Sequence, residues 1–257
     1  MGNRGLLTVI LVGAFLWSLL NVNWGEPLLH DGGLAAAARL LGAMLRPDLA
    51  PDLLYLGLVA SWRTLAYATA GVTLAFALAL PTGILASGVL VRQPRLRLIT
   101  ATACRAFLGS LRAIHELVWA WLLVAALGLS PLAAVLALAL PYAGILGRIL
   151  AEMLHDVPEA PLRSLRSSGA SEWQVLLYGR LPLVWPDLAS YALYRFECGI
   201  RSAAIMSFVG LGGLGYQIQI SLDDLNYAQV WTFVYFLVAL VVLVDAWSSL
   251  IRTRLVA

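Results

Sequence analysis

Between Thr64 and Val91 the chain runs for 28 residues without a charged side chain. A helix of ~20 such residues is long enough to cross the hydrocarbon core of a bilayer. Comparable apolar stretches recur along the sequence, and charged residues make up only 12% of the whole chain, against roughly 25% in soluble domains. Because a backbone surrounded by lipid must satisfy its own N–H and C=O groups, the sequence predicts an all-α membrane protein.

The apolar stretches predict about six transmembrane helices. The first, Gly5–Trp24, has the apolar core of a signal peptide, but no small-residue cleavage site follows it, so we expect a retained helix. Prolines interrupt residues 25–62, where we expect an external segment with an interfacial helix at Leu34–Leu45. The other predicted spans are Thr64–Val91, which contains a proline kink, Phe107–Gly128, Pro131–Leu150, Leu188–Val209 and Ala228–Leu250.

Every basic side chain is an arginine, because the sequence contains no lysine. Basic residues concentrate in the cytoplasmic loops of membrane proteins. A cytoplasmic N-terminus puts eleven arginines on the inner side and three, Arg39, Arg46 and Arg63, on the outer side. The inner arginines are Arg4, Arg92, Arg95, Arg97, Arg105, Arg148, Arg163, Arg166, Arg180, Arg252 and Arg254. This asymmetry predicts that both termini are cytoplasmic.

The side chains that most enzymes need are missing or scattered. Without lysine there is no P-loop for ATP and no Schiff-base chemistry. Cys104 and Cys198 are isolated, and His30, His115 and His155 lack the i, i+4 spacing of a helical metal pair. No serine lies in a G-x-S-x-G motif. The sequence therefore predicts a protein that is not an enzyme and that holds no metal.

The segment Pro158–Pro182 is the longest polar interruption in the C-terminal two thirds of the chain. We expect Gly169 to separate two short helices and Pro182 to end the second. With basic residues on its polar face, the segment suits either contact with a soluble partner or the surface of lipid headgroups. Its apolar residues recur at the period of an amphipathic helix: Leu162, Leu165, Trp173, Leu176 and Leu177.

The fifth predicted span contains three charged residues, Arg195, Glu197 and Arg201. Glu197 and Arg201 are four residues apart and share a helical face, whereas Arg195 points away from Glu197. Arg112 and Glu116 repeat the i, i+4 spacing on the third predicted span. Charges inside a membrane face a partner or a watery cavity. Two interpretations stay open: Glu197 and Arg195 are neutralised, by Arg201 and by a carboxylate such as Glu116, or the arginines line a path for an anion.

The run from Gly210 to Gly215 formally matches the G-x-G-x-x-G motif of dinucleotide-binding domains. We reject that interpretation, because the run follows an apolar span and not a strand of a soluble βαβ unit. Glycines permit positive φ and close backbone contact, so we expect a helix end that turns back. Alternatively, N–H groups at Gly210, Gly212 and Gly213 lie beside a path for an anion.

Gly169-Ala170-Ser171 followed by Leu181-Pro182 resembles the cytoplasmic coupling loop of ABC importer permeases. Motifs further along resemble, more particularly, the permease subunit of phosphonate/phosphite ABC importers, and the joint pattern covers roughly residues 60–254. These motifs are Leu193-Tyr194-Arg195-Phe196-Glu197, Arg201-Ser202-Ala203 and Val209-Gly210-Leu211-Gly212-Gly213-Leu214-Gly215, supported by Arg112-Ala113-Ile114, Glu116-Leu117 and Gly128-Leu129-Ser130-Pro131.

Three positions depart from the pattern of that family. Its coupling loop usually opens with Glu-Ala six residues before the glycine, where this chain has Arg163-Ser164. His115 stands where a proline is common, and Cys198 stands where a small or branched residue is usual. The first departure bears on the details of the contact with the ATPase.

The resemblance implies the fold of a type I ABC importer permease. Residues 61–257 would form the transmembrane domain, with a cytoplasmic coupling loop at 158–182, and residues 1–60 would add an N-terminal helix and an external segment. The chain would be one half of a homodimeric pore in the bacterial plasma (inner) membrane, in contact with lipid. Its partners would be two ABC ATP-binding subunits and an extracytoplasmic substrate-binding protein, and no nucleic acid. ATP and Mg would bind to the partner ATPase, and this chain would hold no cofactor.

By the same resemblance the pore moves a small oxyanion, phosphonate, phosphite or similar, across the membrane by alternating access. The alternative is another small solute, such as phosphate, sulfate or an amino acid. The residues implied to couple to the ATPase are Arg163, Arg166, Ser167, Gly169, Ala170 and Ser171. The residues implied to line the translocation path are Arg195, Glu197, Arg201, Gly210, Gly212 and Gly213.

Overall fold

The computed structural model describes residues 3–22 and 32–256, with side chains for 5–22 and 32–254. Every regular element in these ranges is helical, as predicted. Helices α1, Asn3–Leu20, and α2, Gly33–Ala43, belong to one compact unit that ends at Arg46. α2 corresponds to the predicted interfacial helix, whereas the predicted end of the first span at Trp24 lies outside the described residues.

The first helix of the second compact unit, α3, spans Pro51–Ser87. The prediction that this span begins at Thr64 is wrong. Pro51 lies in the first turn of α3, where a missing N–H removes no helical hydrogen bond, so it starts the helix and does not interrupt the chain. Pro81 lies inside the helix, as predicted, and Gly88, with φ +69°, ends it. The expected division after residue 60 falls inside α3, whereas the compact units divide between residues 46 and 47.

Two helices, α4 at Pro94–Ala113 and α5 at Glu116–Leu127, replace the single third span that the sequence predicts. That prediction is wrong, because the chain is extended at Ile114 and His115 and the two helices differ in direction by 86°. The Nδ1 atom of His115 accepts a hydrogen bond from the N–H of Leu117 at 3.3 Å. This cap satisfies one of the unpaired donors at the start of α5 and so favours the break.

Helix α6, Pro131–Asp156, packs against α3, α4 and α5. Glycines bring these backbones into direct contact. A Cβ atom at Gly144 would lie 2.6 Å from the backbone oxygen of Leu108 in α4, and one at Gly83 in α3 would lie 2.7 Å from the backbone oxygen of Gly147. No larger side chain fits at these crossings, so α6 holds its two long neighbours at the closest distance that helices can adopt.

The polar segment folds around its glycine, as predicted. Helix α7, Glu159–Ser167, and the short helix α8, Glu172–Gln174, flank Gly169, which has φ +85°. A π-helical turn, Val175–Arg180, then leads directly into α9, Leu181–Met206.

The prediction that Pro182 ends a helix is wrong, because this residue lies in the first turn of α9. In a regular α-helix a proline clashes with the carbonyl group four residues before it. The wider π-helical turn that precedes Pro182 displaces that carbonyl group. The helix therefore passes from α8 into the membrane-spanning α9 without a break.

After a 3₁₀ turn at Ser207–Val209 and the glycine run, α10, Leu214–Asp223, leaves at 43° to the preceding helix. The last helix, α11, spans Tyr227–Val256. A Cβ atom at Gly215 would lie 1.8 Å from the backbone oxygen of Ala204 in α9. Helix α10 therefore rests directly on the backbone of α9.

Within the described residues, α3, α6 and α11 are long and apolar enough to cross a membrane. The bent pairs α4–α5 and α9–α10 bring the total to five if each pair crosses as one span. The apolar helix at Gly5–Leu20 is shorter than these. The six predicted spans thus correspond to these five candidates together with α1.

Gly215→Ala should destabilise the fold, because the added methyl group would overlap the Ala204 carbonyl and push α10 away from α9. Overpacking of this kind costs about 1–3 kcal/mol, and each kcal/mol lowers the Tm of a chain of this size by about 2–4 °C. Gly42→Ala is the matched control, since nothing lies within 4 Å of its Cβ position. Thermal unfolding of both purified variants, followed by size-exclusion chromatography, measures the difference. Equal Tm values would contradict this packing.

Candidate functional site

Three arginines from three helices line one cavity of about 560 Å³, which we call the arginine cavity. They are Arg112 at the end of α4, Arg148 on α6 and Arg195 on α9. Tyr191 of α9 lies beside them. The remaining lining residues are small or apolar: Gly109, Ala113, Ile145 and Ile149. Because none of these lining residues is acidic, the cavity is a region of positive potential.

The glycine contacts of α6 determine where Arg112 lies. A Cβ atom at Gly144 would lie 3.0 Å from the backbone nitrogen of Arg112, so only a glycine lets α4 end this close to α6. Arg148 follows Gly144 by one helical turn on α6 and therefore lies on the same face. Among the described residues, the side chain of Arg112 forms no hydrogen bond and no ion pair. Its five N–H donors are available to a ligand.

Tyrosines hold the guanidinium group of Arg195 in the wall of the cavity. Its Nε and Nη2 atoms donate hydrogen bonds to the hydroxyl oxygen of Tyr191 at 3.0 and 2.8 Å. The guanidinium carbon also lies 5.2 Å from the ring centre of Tyr191 and 5.7 Å from that of Tyr194, which are cation–π distances. A tyrosine orients the arginine without cancelling its charge, so Arg195 keeps its full attraction for an anion.

Arg148 is the one arginine of this cavity with an acidic partner among the described residues. Its Nε atom lies 2.8 Å from an oxygen of Glu152, one turn further along α6, and both side chains are about half exposed, at 51% each. The cavity therefore combines three positive groups with one carboxylate at its edge.

Another cavity, of about 400 Å³, lies between α3 and α9. Its wall contains Phe76, Trp185 and Trp247, and none of its lining residues is charged. An anion that enters such a cavity loses its hydration without gaining charged or strong hydrogen-bond partners. This cavity is therefore unsuited to a charged solute.

Glu197 faces α11, on the side of α9 away from Arg195. One of its carboxylate oxygens lies 3.0 Å from Nη2 of Arg252, although the angle is too poor for a hydrogen bond, so the contact is an ion pair held by Coulomb attraction. The interpretation in which Arg201 neutralises Glu197 is therefore wrong. Arg201 is exposed, and its Nη2 atom lies 3.7 Å from the sulfur of Cys198.

Glu116 is bound by the hydroxyl group of Ser202 and not by Arg195, which makes the second proposed pairing wrong as well. The Oγ of Ser202 donates a hydrogen bond of 2.6 Å to Glu116, and it lies 3.2 Å from the hydroxyl group of Tyr142. The break between α4 and α5 also places Arg112 and Glu116 on different helices, so their spacing does not form the predicted i, i+4 pair.

Sequence patterns alone do not identify Arg112, Arg148 and Tyr191 as neighbours of Arg195. A signal exists only for Tyr191, which precedes Arg195 by one helical turn. The other two come from separate helices, and only the crossing of α4 and α6 brings them together. Ser202 belongs to the motif Arg201-Ser202-Ala203, but that motif does not indicate its bond to Glu116, and Tyr142 lies in none of the quoted motifs.

The glycine run forms the predicted helix break. Gly210, Gly212 and Gly213 have φ values of +92°, +79° and +101°, in the left-handed region that side chains other than glycine rarely adopt. The break is fixed to α3, because the N–H of Leu214 donates to the hydroxyl group of Thr64 at 3.0 Å. These glycines do not line the arginine cavity. Their role in translocation stays a prediction.

A chain of ion pairs connects the polar segment to the helices around it. Arg92 contacts Glu172 at 3.4 Å, Glu172 contacts Arg166 at 3.5 Å, and Arg166 contacts Glu159 at 2.8 Å. Glu159 in turn contacts the buried Arg180 at 3.1 Å. Arg180 also donates to the backbone oxygen of Leu154 in α6. The hydrogen bond from Arg166 holds the pKa of the Glu159 carboxyl group below its usual value.

The residues predicted to couple to an ATPase surround Gly169. Arg163, Ser167 and Gly169 are exposed, and Ala170 is partly buried. Ser171 starts α8 with a reciprocal cap: its hydroxyl group accepts from the N–H of Gln174, whose side chain accepts from the N–H of Ser171. Arg166 belongs to the ion-pair chain just described. Whether this surface binds an ATPase stays a prediction.

The apolar face expected for this segment is only partly buried. Leu162 and Leu176 are in the core, but Trp173 and Leu177 are 59% and 50% exposed. Both lie on the same face of the helix with Tyr178 beside them, which is 74% exposed. The segment therefore presents apolar and aromatic side chains outward next to its polar groups.

Comparison with known proteins places the chain in a family. Residues 79–257 match the model of the family described as "Binding-protein-dependent transport system inner membrane component". The chain belongs to this family. It is 35% identical over 225 residues to the phosphite transport system permease protein PtxC of Stutzerimonas stutzeri, with 86% of this chain and 78% of that protein covered. It is 32% identical over 256 residues to the phosphate-import permease protein PhnE of Mycolicibacterium smegmatis, with 99% of this chain but only 46% of that protein covered.

Solved structures share its fold. A chain of the MetNI methionine ABC transporter in an inward-facing conformation superposes with a TM-score of 0.70 at 22% identity, covering 80% of this chain and 99% of that one. A chain of an amino acid ABC transporter gives a TM-score of 0.66 at 17% identity, covering 80% and 98%. The predicted importer permease fold and the multi-pass membrane location are confirmed, and the family is one of membrane permease subunits, not of enzymes. The cytoplasmic placement of both termini stays a prediction.

The ion-pair chain makes stability depend on pH through Glu159. Because the folded-state pKa of this carboxyl group is lowered, its contribution is present above its unfolded pKa of about 4.3 and is lost as the pH falls through the folded value. Glu159→Gln should therefore have a lower Tm than the unmodified protein at pH 7, and the gap in Tm should narrow as the pH falls below the unfolded pKa of about 4.3 toward the lower folded-state pKa.

Thermal unfolding from pH 7 to 3.5 measures this gap. Arg163→Gln is the matched control on the same helix, since Arg163 forms no ion pair among the described residues. The difference in Tm between this variant and the unmodified protein should not change with pH. A gap for Glu159→Gln that persists unchanged at pH 3.5 would show that the carboxylate charge does not stabilise the segment.

Proposed function

We propose that the chain forms one half of a homodimeric pore in an ATP-driven importer that moves a small oxyanion, such as a phosphonate or phosphite, into the cell. Two ATP-binding subunits on the cytoplasmic side would drive alternating access, and an extracytoplasmic binding protein would deliver the solute. ATP and Mg would bind to the partner ATPase, which agrees with the absence of lysine, and hence of a P-loop, from this sequence.

The arginine cavity is the observation that carries this proposal. All three of its arginines lie on candidate membrane spans, where a lone charge costs at least ~2.5–3.5 kcal/mol. Arg148 is partly compensated by Glu152, and the other two arginines have no acidic partner among the described residues, so water or an anion is needed to stabilise them. Guanidinium groups bind oxyanions through paired N–H···O hydrogen bonds, which suits a compact phosphorus oxyanion. The two relatives named for phosphite and phosphate transport support an oxyanion as the substrate class.

An amino acid is the main competing substrate. A zwitterion needs an acidic or carbonyl partner for its ammonium group as well as a cation for its carboxylate. The lining of the arginine cavity contains no acidic residue, and the carboxylate at its edge, Glu152, is already paired with Arg148, which favours a pure anion. The likeness to amino acid transporters concerns the fold alone, because those chains are 22% and 17% identical to this one.

Arg195→Gln tests the substrate site. We expect it to lower oxyanion uptake by about tenfold or more, the equivalent of one lost charge-assisted hydrogen bond of ~1.5–3 kcal/mol. Uptake of phosphite, methylphosphonate, phosphate and sulfate is measured in cells that express the complete transporter, alongside the amount of inserted protein. Arg95→Gln is the control, since Arg95 is exposed at the start of α4 and outside the cavity.

Arg201→Gln and Glu197→Gln extend this experiment. Arg201 is proposed to continue the positive path along α9, and Glu197 is proposed to hold α11 in place through Arg252. Uptake of an amino acid but of no oxyanion by the unmodified transporter would contradict the proposed function. Unchanged oxyanion uptake in Arg195→Gln would instead remove the arginine cavity from the path.

Gly169→Val tests coupling to the ATPase. Gly169 has φ +85°, a conformation that costs other residues roughly 1 kcal/mol or more. Nothing lies within 4 Å of its Cβ position, so the substitution strains the loop without a clash. We expect normal membrane insertion but loss of ATPase copurification or of uptake. Gly13→Val, at an open helical position, is the control. Uptake equal to that of the control would show that the loop is only a connection.

A further inference from the structure

A cavity of about 670 Å³ adjoins the arginine cavity along α6, and we call it the acidic vestibule. Three carboxylates line it: Glu152 and Asp156 from α6 and Asp187 from α9. Ile149 lines both cavities, so they are direct neighbours. The residues Pro158 and Pro161 place the vestibule at the end of the bundle that carries the polar segment.

One ion pair crosses from one cavity to the other. Arg148 lines the arginine cavity, Glu152 lines the acidic vestibule, and their Nε and Oε1 atoms are 2.8 Å apart. On a helix, a positive residue that precedes its negative partner by four positions forms the weaker of the two possible orders. Both side chains are also about half exposed, which weakens the pair further. This contact is therefore one that a bound anion can replace.

Resting on the proposed function, we propose that Glu152 is a displaceable counter-ion of Arg148. An oxyanion in the arginine cavity replaces Glu152 at Arg148, and the return of Glu152 releases that oxyanion. The oxyanion and the Glu152 carboxylate would compete for the positive charge of the Arg148 guanidinium group, whose Nε–H already binds Glu152. Glu152 is tethered one turn away, so its effective concentration at Arg148 is high. A displaced Glu152 would turn toward Asp156 and Asp187, and repulsion between these carboxylates would drive it back.

The other two arginines lack this competitor. Arg195 is oriented by the neutral hydroxyl group of Tyr191, and Arg112 has no acidic partner among the described residues. They would attract the oxyanion throughout, whereas Arg148 would alternate between oxyanion and carboxylate. A site with three uncompensated arginines would bind its anion tightly and release it slowly. The carboxylate of Glu152 thus lowers the affinity of the cavity for the oxyanion and raises the rate at which the oxyanion is released.

The test is Glu152→Gln in the purified transport complex with its ATPase and without the external binding protein. Phosphite and phosphate are the probes, and equilibrium titration measures their Kd. We expect Kd to fall by roughly two- to fivefold, the factor that corresponds to an exposed ion pair. With the external binding protein added to the same complex in proteoliposomes, we also expect the maximal rate of uptake to fall, because release is slower.

Arg148→Gln and the double variant Arg148→Gln/Glu152→Gln complete the cycle. If Glu152 acts through Arg148, adding Glu152→Gln to Arg148→Gln should change neither Kd nor rate. A purely structural pair would instead lower the Tm in Glu152→Gln and leave Kd unchanged, which would overturn the proposal. An unchanged or raised Kd in Glu152→Gln, or no measurable anion binding by the unmodified complex, would overturn it as well. The proposed function fails separately, if the unmodified transporter takes up no oxyanion.

Discussion

Helices inside a bilayer gain little hydrophobic free energy when they exchange contacts with lipid for contacts with each other. Their association therefore depends on how closely their backbones approach. In this chain α6 provides that approach, with Gly144 against the backbone of α4 and Gly147 against Gly83 of α3. The same crossings place Arg112 and Arg148 in the wall of one cavity. The positions of the charged groups thus follow from close backbone contacts that glycines of α6 allow.

The polar segment depends on a different kind of contact. Its chain of ion pairs runs from Arg92 through α8 and α7 to the buried Arg180, whose guanidinium group also reaches the backbone of α6. The π-helical turn connects the segment to α9 without an intervening loop. A displacement of the loop at Gly169 would therefore be transmitted to the helix that carries Arg195, which lies in the arginine cavity.

Much of the fold could be predicted from hydropathy, but helix ends depended on details that hydropathy does not record. Pro51 starts α3 because its position at the N-terminus makes the missing N–H harmless, and Pro182 is tolerated because a π-helical turn precedes it. The break at His115 arises from a cap that no apolar pattern reveals. For the site, the helical period correctly separated Arg195 from Glu197, but it could not name the partner of Glu197, Arg252, on a helix far along the chain.

We propose that an oxyanion binds among Arg112, Arg148 and Arg195 on its way through the membrane. The most direct measurement is an experimental structure of the complete transporter with phosphite bound at a stage between entry and release. We expect anion density in the arginine cavity, within hydrogen-bond distance of these guanidinium groups. Density at the glycine run Gly210–Gly215 or in the apolar cavity beside Trp185, with the arginine cavity empty, would contradict it.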